Sequence, residues 1–172
     1  VIPQRVVSMF SGPPRQMQDD ERMVVDFMEP EGKKMVCGGS SANLVARVLG
    51  RQVTTDLSFD SDLPPIAHIK GLDLVTEGVL TLRVTNAIVK EYLEHPADSA
   101  AIKALDAHNG AAMIARLLFE EATDINFFVG RAVNPAHQNP NLPVDLSIKI
   151  RLLEELAETL RGAGKVVKIR YY

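Results

Sequence analysis

The chain has no tryptophan, and aromatic residues fill only 5% of its 172 positions. A core for a domain of this size must therefore be largely aliphatic. Cys37 is the single cysteine, which excludes an intrachain disulfide framework and fits a reducing cytosol. No apolar run reaches the roughly 18 residues of a membrane span, and no signal-peptide pattern opens the chain. We therefore expect a cytoplasmic protein with no membrane contact. Lysine and arginine form no block, and the formal net charge is −3. That balance argues against nucleic acid or an anionic membrane as partner, while leaving room for a local basic pocket. The sequence shows no repeat and no low-complexity tract. It opens on Val1 rather than methionine, as expected of a processed product or a segment of a longer chain.

With 46% hydrophobic and 24% charged residues, the composition is that of an ordinary globular chain, read as one domain over residues 1–172. Short apolar runs alternate with helical patterns. "RVVSMFS" reads as a buried strand that ends at Gly12-Pro13-Pro14. The next stretch is a helix capped at Asp19 or Asp20, with Met23/Phe27 and Val24/Met28 four apart, stopped by Pro30 and Gly32. "KKMVCGG" is a second strand, and "SSANLVARVLG" a helix with Leu44, Val45, Val48 and Leu49 on one face. "RQVTTDLS" reads as a third strand, and Phe59 to Lys70, holding Pro64-Pro65, as a connecting loop.

The alternation continues through the rest of the chain. "GLDLVTEG" is a strand, and "VLTLRVTNAIVKEYLEH" a long helix with Val84, Ile88 and Tyr92 aligned. A further helical stretch runs to Ala122, interrupted or joined at Asn109-Gly110, before the strand "DINFFVG". After a loop rich in proline and asparagine, a helix from about Asp145 to Arg161 turns Leu146, Ile150, Leu153, Ala157 and Leu160 inward, and "KVVKIRYY" is the final strand. Two-sided apolar strands alternating with helices predict a three-layer α/β/α, Rossmann-like domain around a mostly parallel sheet of about five to six strands.

Ligands of open parallel sheets bind outside the carboxyl ends of the strands. That rule gathers Gly12-Pro13-Pro14, Gly38-Gly39-Ser40-Ser41, Thr76-Glu77-Gly78, and Gly130-Arg131 with the loop through Asn139 on one rim. At the glycine corner the backbone can approach a ligand closely, and the start of the following helix favours negative charge. The same residues also suit a plain tight corner with Ser40 as N-cap. They match neither the dinucleotide fingerprint nor the phosphate-loop pattern, because no Lys-Ser/Thr follows the glycines. Glu77 offers a carboxylate for acid–base work or a metal, or else complements the helix dipole beside Thr76 and Gly78.

Arg131, Asn134 and His137 suit an anion clamp opposite the Gly38 to Ser41 corner, or are turn-building residues. Cys37, at a strand end, is a nucleophile or, in the favoured reading, a small buried hydrophobe. His68, His95 and His108 lack metal-ligand spacing and are expected at the surface. For Asp19, Asp20, Asp60 and Asp62, capping and solvation are favoured over cation binding.

Taken together, "GPP…DD", "VCGGSSANLVARVLGR", "GLDLVTEGVLTL" and "VGRAVNPAHQNPNLPVDLSIK" resemble the C-terminal portion of bacterial phosphatases of the stage II sporulation protein E (SpoIIE) family. The resemblance spans nearly the whole chain in order. In that family a metal-dependent serine/threonine phosphatase domain of type 2C precedes such a segment. Its aspartates, typically in Asp-Gly steps, hold Mn²⁺ or Mg²⁺ ions that activate water. No Asp-Gly step occurs in this sequence, so no catalytic residue carries over. The phosphatase core is moreover an antiparallel sandwich, whereas this pattern reads parallel.

The resemblance implies a regulatory companion domain with no cofactor or metal of its own. Its own phosphatase domain would be a partner, and the rim of four loops, with the metal aspartates missing, points to a small anionic ligand at Gly38 to Ser41. Two alternatives stand beside it. One is a hydrolase with Glu77, Asp19, Asp20 and His137 around a metal; the other is a structural module that forms a homodimer through the long helices.

Overall fold

The computed structural model describes residues 5–12, 14–55, 67–76, 79–95, 103, 110–131 and 145–172. Five parallel strands form the body of the sheet: β1 (Val6–Ser11), β2 (Lys33–Cys37), β5 (Leu74–Thr76), β6 (Asp124–Val129) and β7 (Val166–Tyr171). The two-residue strands β3 (Thr54–Thr55) and β4 (Ala67–His68) extend one edge antiparallel, giving the order β3-β4-β5-β2-β1-β6-β7.

Successive side chains of each central strand go to opposite faces, as the pleat requires. Val7, Met9, Met35, Leu74, Ile125 and Phe127 join one apolar cluster, while Phe10, Val36, Val75 and Phe128 join another. The helices α1 (Asp20–Met28) and α2 (Gly39–Leu49) cover the second cluster with Met23, Val24, Phe27 and Val45. On the other face lie α3 (Val79–Glu94), α4 (Gly110–Arg116) and α5 (Asp145–Gly162), which bring Leu82, Ile114, Leu153, Leu156 and Leu160. The three-layer, Rossmann-like α/β/α architecture is thus the one the alternating pattern predicts.

Aromatics are few but concentrated. Phe27 meets Phe10 and Phe128 edge-on, at ring distances of 5.3 and 5.9 Å, beneath α1. On the opposite face, the Asn86 amide donates to the Leu152 carbonyl at 3.1 Å and ties α3 to α5. No helix among the described residues is long and apolar enough to cross a membrane.

The region around β3 departs from expectation. Only Thr54 and Thr55 of the predicted third strand enter the sheet, and Asp56 to Ser58 lie outside the described residues. Within the stretch read as a loop, Ala67 pairs with both Thr55 and Val75. A two-residue bridge has no period to betray it; the open edge of β5 sets the pairing. Of the predicted helical stretch that runs to Ala122, residue 103 and the residues from Gly110 on are described, and α4 widens into a π-turn over Leu117–Glu121, closed by the Ala122 N–H donating to the Leu117 carbonyl at 3.1 Å.

From β1 the chain moves outward through α1 and α2 on one face to β5, then crosses the other face to β6, on the opposite side of β1. The strand order reverses between β1 and β6. In doubly wound sheets this is where a crevice opens at the carboxyl ends.

Candidate functional site

The glycine corner lies at the carboxyl end of β2, next to β1 and that reversal of strand order. The chain turns from β2 into α2 at Gly38, whose φ of 111° is left-handed territory that disfavours any side chain. Gly38, not Ser40, occupies the N-cap position, and no side chain caps the helix. The corner is held by backbone: the Gly38 N–H donates to the Thr76 carbonyl at 2.8 Å, joining the ends of β2 and β5.

Ser41, fully buried, faces Gly12 at the end of β1. Its Oγ accepts the Gly12 N–H at 2.8 Å and donates to the Gly12 carbonyl at 2.9 Å. One hydroxyl thus satisfies the Gly12 N–H and also bonds the carbonyl of the same residue. Ser41 is therefore a strut between β1 and α2.

The Gly12 carbonyl has a second donor. Lys149, near the start of α5, reaches over the sheet and places its Nζ 3.2 Å from that oxygen. Among the described residues, no carboxylate forms an ion pair with this ammonium. Burial pulls its pKa from 10.5 down to about 8, only partly opposed by the nearby Cys37 sulfur.

Cys37 itself is buried, 3.4 Å from the Met9 sulfur, and accepts a hydrogen bond from the Thr76 hydroxyl at 3.5 Å. Burial pushes its thiol up to about 11, which leaves it an inert small hydrophobe, the favoured reading of the sequence. Thr76, Cys37, Lys149, Gly12 and Ser41 thus form one continuous cluster at the ends of β5, β2 and β1.

Arg131 follows β6 on the same rim. Its backbone N–H donates to the Tyr172 carbonyl at 2.9 Å, and its guanidinium lies over the Tyr171 ring at 5.9 Å. Strand spacing puts the ends of β6 and β2 about 10 Å apart, with β1 and Lys149 between them. Gly39 and Ser40 build the first turn of α2. Glu77, Gly78, Asn134 and His137 lie outside the described residues.

The candidate metal residues elsewhere are otherwise engaged. The Asp20 carboxylate pairs with Arg47 at 2.7 Å, and Asp19 lies 3.8 Å from Arg22. His68 and His95 are exposed, and His108, Asp60 and Asp62 lie outside the described residues. His95 does have neighbours that its sequence spacing did not suggest: with Glu91 and Glu94 at the end of α3 it holds ligand atoms within 4.8 Å of one another, all exposed.

Sequence reasoning missed Lys149. The signal was present, because positions 149, 153, 156 and 160 share one helical face, and the last three are fully buried leucines. A lysine on an otherwise apolar face asks for a purpose.

No protein-family model, no curated protein and no solved structure matches this chain.

Proposed function

We propose that this chain is a small-anion-binding regulatory domain whose ligand sits in the crevice at the ends of β1, β2 and β6, beneath the Lys149 ammonium. One observation carries the reading: a lysine taken out of water at the switch point of a parallel sheet, with a main-chain carbonyl as its acceptor. A desolvated cation is unfavourable without a counter-charge, and a bound phosphate or carboxylate supplies one. The opening turn of α2 and Arg131 flank the position and add donors of the right sign.

The resemblance of its sequence to the C-terminal portion of SpoIIE-family phosphatases favours placing this domain beside a metal-dependent serine/threonine phosphatase domain, with catalysis in that neighbour. Titration calorimetry with inorganic phosphate, sugar phosphates and nucleotides tests the binding. Heat that disappears in Lys149→Met, with the fold intact, is expected; binding unchanged in that variant would refute the site. Turnover of p-nitrophenyl phosphate with Mn²⁺ by this chain alone would instead favour a hydrolase.

A further inference from the structure

The two edges of the sheet differ in what they offer another chain. β3 closes one edge with two residues, too few to template a further strand, whereas β7 leaves six residues at the other. The pairing with β6 fixes which main-chain groups face outward. Val166 donates its N–H to the Thr123 carbonyl at 3.1 Å and Tyr172 to the Val129 carbonyl at 2.8 Å, so Val166, Lys168, Arg170 and Tyr172 turn their main chain toward β6. Val167, Ile169 and Tyr171 turn theirs outward. The Val167 carbonyl is already taken by the guanidinium of Arg161, in the last turn of α5, which donates to it at 2.8 Å. The N–H and C=O groups of Ile169 and Tyr171 have no partner among the described residues.

The side chains beside this edge carry one sign. On the α1 face of the sheet β7 presents Val166, half exposed, together with Lys168 and Arg170, both exposed. Among the described residues no carboxylate forms an ion pair with either cation, and Arg170 faces the Tyr172 hydroxyl. On the α5 face lie Val167, Ile169 and Tyr171, the last 39% exposed. Antiparallel pairing of two copies about Ile169 would set cation opposite cation on the α1 face, which is destabilising. A strand bearing carboxylates on that face meets the opposite condition.

We propose that the Ile169–Tyr171 edge of β7 receives an extended segment of another protein in which acidic and apolar residues alternate. The segment's main chain pairs with Ile169 and Tyr171, its carboxylates lie beside Lys168 and Arg170, and its apolar side chains continue the row of Ile169 and Tyr171 on the α5 face. Arg161 limits the register by occupying the Val167 carbonyl. This edge is a surface apart from the anion crevice, and the inference does not depend on that reading.

The test uses this chain with a blocked heptapeptide that alternates glutamate and valine, and a lysine–valine peptide as control. Amide exchange followed by NMR should slow at Ile169 and Tyr171 when the glutamate peptide is added, and stay unchanged at Lys168 and Arg170, whose N–H groups already face β6. Two further peptides carry N-methyl groups on alternate amides, one on each set. One should lose binding and the other keep it, because a single row of amides faces β7. Lys168→Glu, at an exposed position, should weaken the glutamate peptide about tenfold and admit the lysine peptide. Equal binding of the two peptides to the unaltered chain, indifference to N-methylation on both sets, an affinity unmoved by Lys168→Glu, or no slowing at Ile169 and Tyr171 with millimolar peptide overturns the proposal.

Discussion

The two ends of the sheet treat charge in opposite ways. At the amino end a cavity of about 650 Å³ is lined by Arg5, Glu31, Lys33, Glu121 and Asn126, and its Lys33 and Glu121 face each other at 2.6 Å. Lys34 beside it donates through its backbone N–H to Asp73 at 2.7 Å, while its ammonium bonds the Pro30 carbonyl and lies 5.7 Å from the Phe27 ring centre. At the carboxyl end Lys149 has the Gly12 carbonyl and, among the described residues, no carboxylate partner. The size of a hollow therefore decides little. What separates a candidate site from a gap between elements is a desolvated charge with no carboxylate partner among the described residues.

The largest effect should come from breaking the amino end without touching the crevice. Gly32 has a φ of +118°, and a Cβ there would lie 2.1 Å from the Val6 carbonyl oxygen. Since main chain cannot yield as a side chain does, Gly32→Ala should cost on the order of 3 kcal/mol or more. Urea unfolding measures the loss, and phosphate affinity per folded molecule should be unchanged.

Lys149→Met reverses the sign. Removing a buried cation should stabilise the unliganded protein at pH 7 by up to about 3 kcal/mol while abolishing phosphate binding. The pH profile sharpens this expectation. Between pH 8 and 9 the unfolded chain holds a proton on Lys149 that the folded chain releases, so stability rises with pH. Above 9 the unfolded chain loses the Cys37 proton that the folded chain keeps up to about 11, and the gain is cancelled. Melting temperatures should climb and then level off. In Lys149→Met the climb should shrink to what the lowered Lys34 and Lys165 contribute, followed by decline from pH 9. An unchanged profile would mean that Lys149 is not desolvated.

Ser41→Ala strands the Gly12 N–H and should cost about 1–3 kcal/mol by thermal unfolding, with weaker phosphate binding as the β1 end loosens. Lys33→Ala should cost under about 1 kcal/mol, since both partners of that pair are partly exposed. A loss as large as that of Ser41→Ala would show that the amino end depends on its charges more than surface pairs usually allow.

The sheet and its layers were legible because neighbours such as Met9 and Phe10, or Met35 and Val36, are apolar in succession, which only a strand buried on both faces tolerates. The corner at Gly38 was legible too, as a glycine pair between a strand and a helix. Its inner workings were not. Ser41 turns inward to a partner that lies 29 residues away. Lys149 could be suspected from its helical face, yet its acceptor is 137 residues distant, and only the strand order brings them together. The pairing of β4 was invisible for a different reason, since two residues carry no periodicity.

The Tyr172 carbonyl accepts the N–H of Arg15 at 3.2 Å and that of Arg131 at 2.9 Å, fastening opposite ends of the sequence at one atom of the rim. Such closures cost chain entropy long before they return energy, so they form late in folding and open early. The crevice is accordingly built on a seam. Amide exchange should find Arg15 and Arg131 opening together, ahead of the β1–β2 ladder. A ligand seated across that seam would slow both amides at once, acting as a fastener on the breathing of the fold.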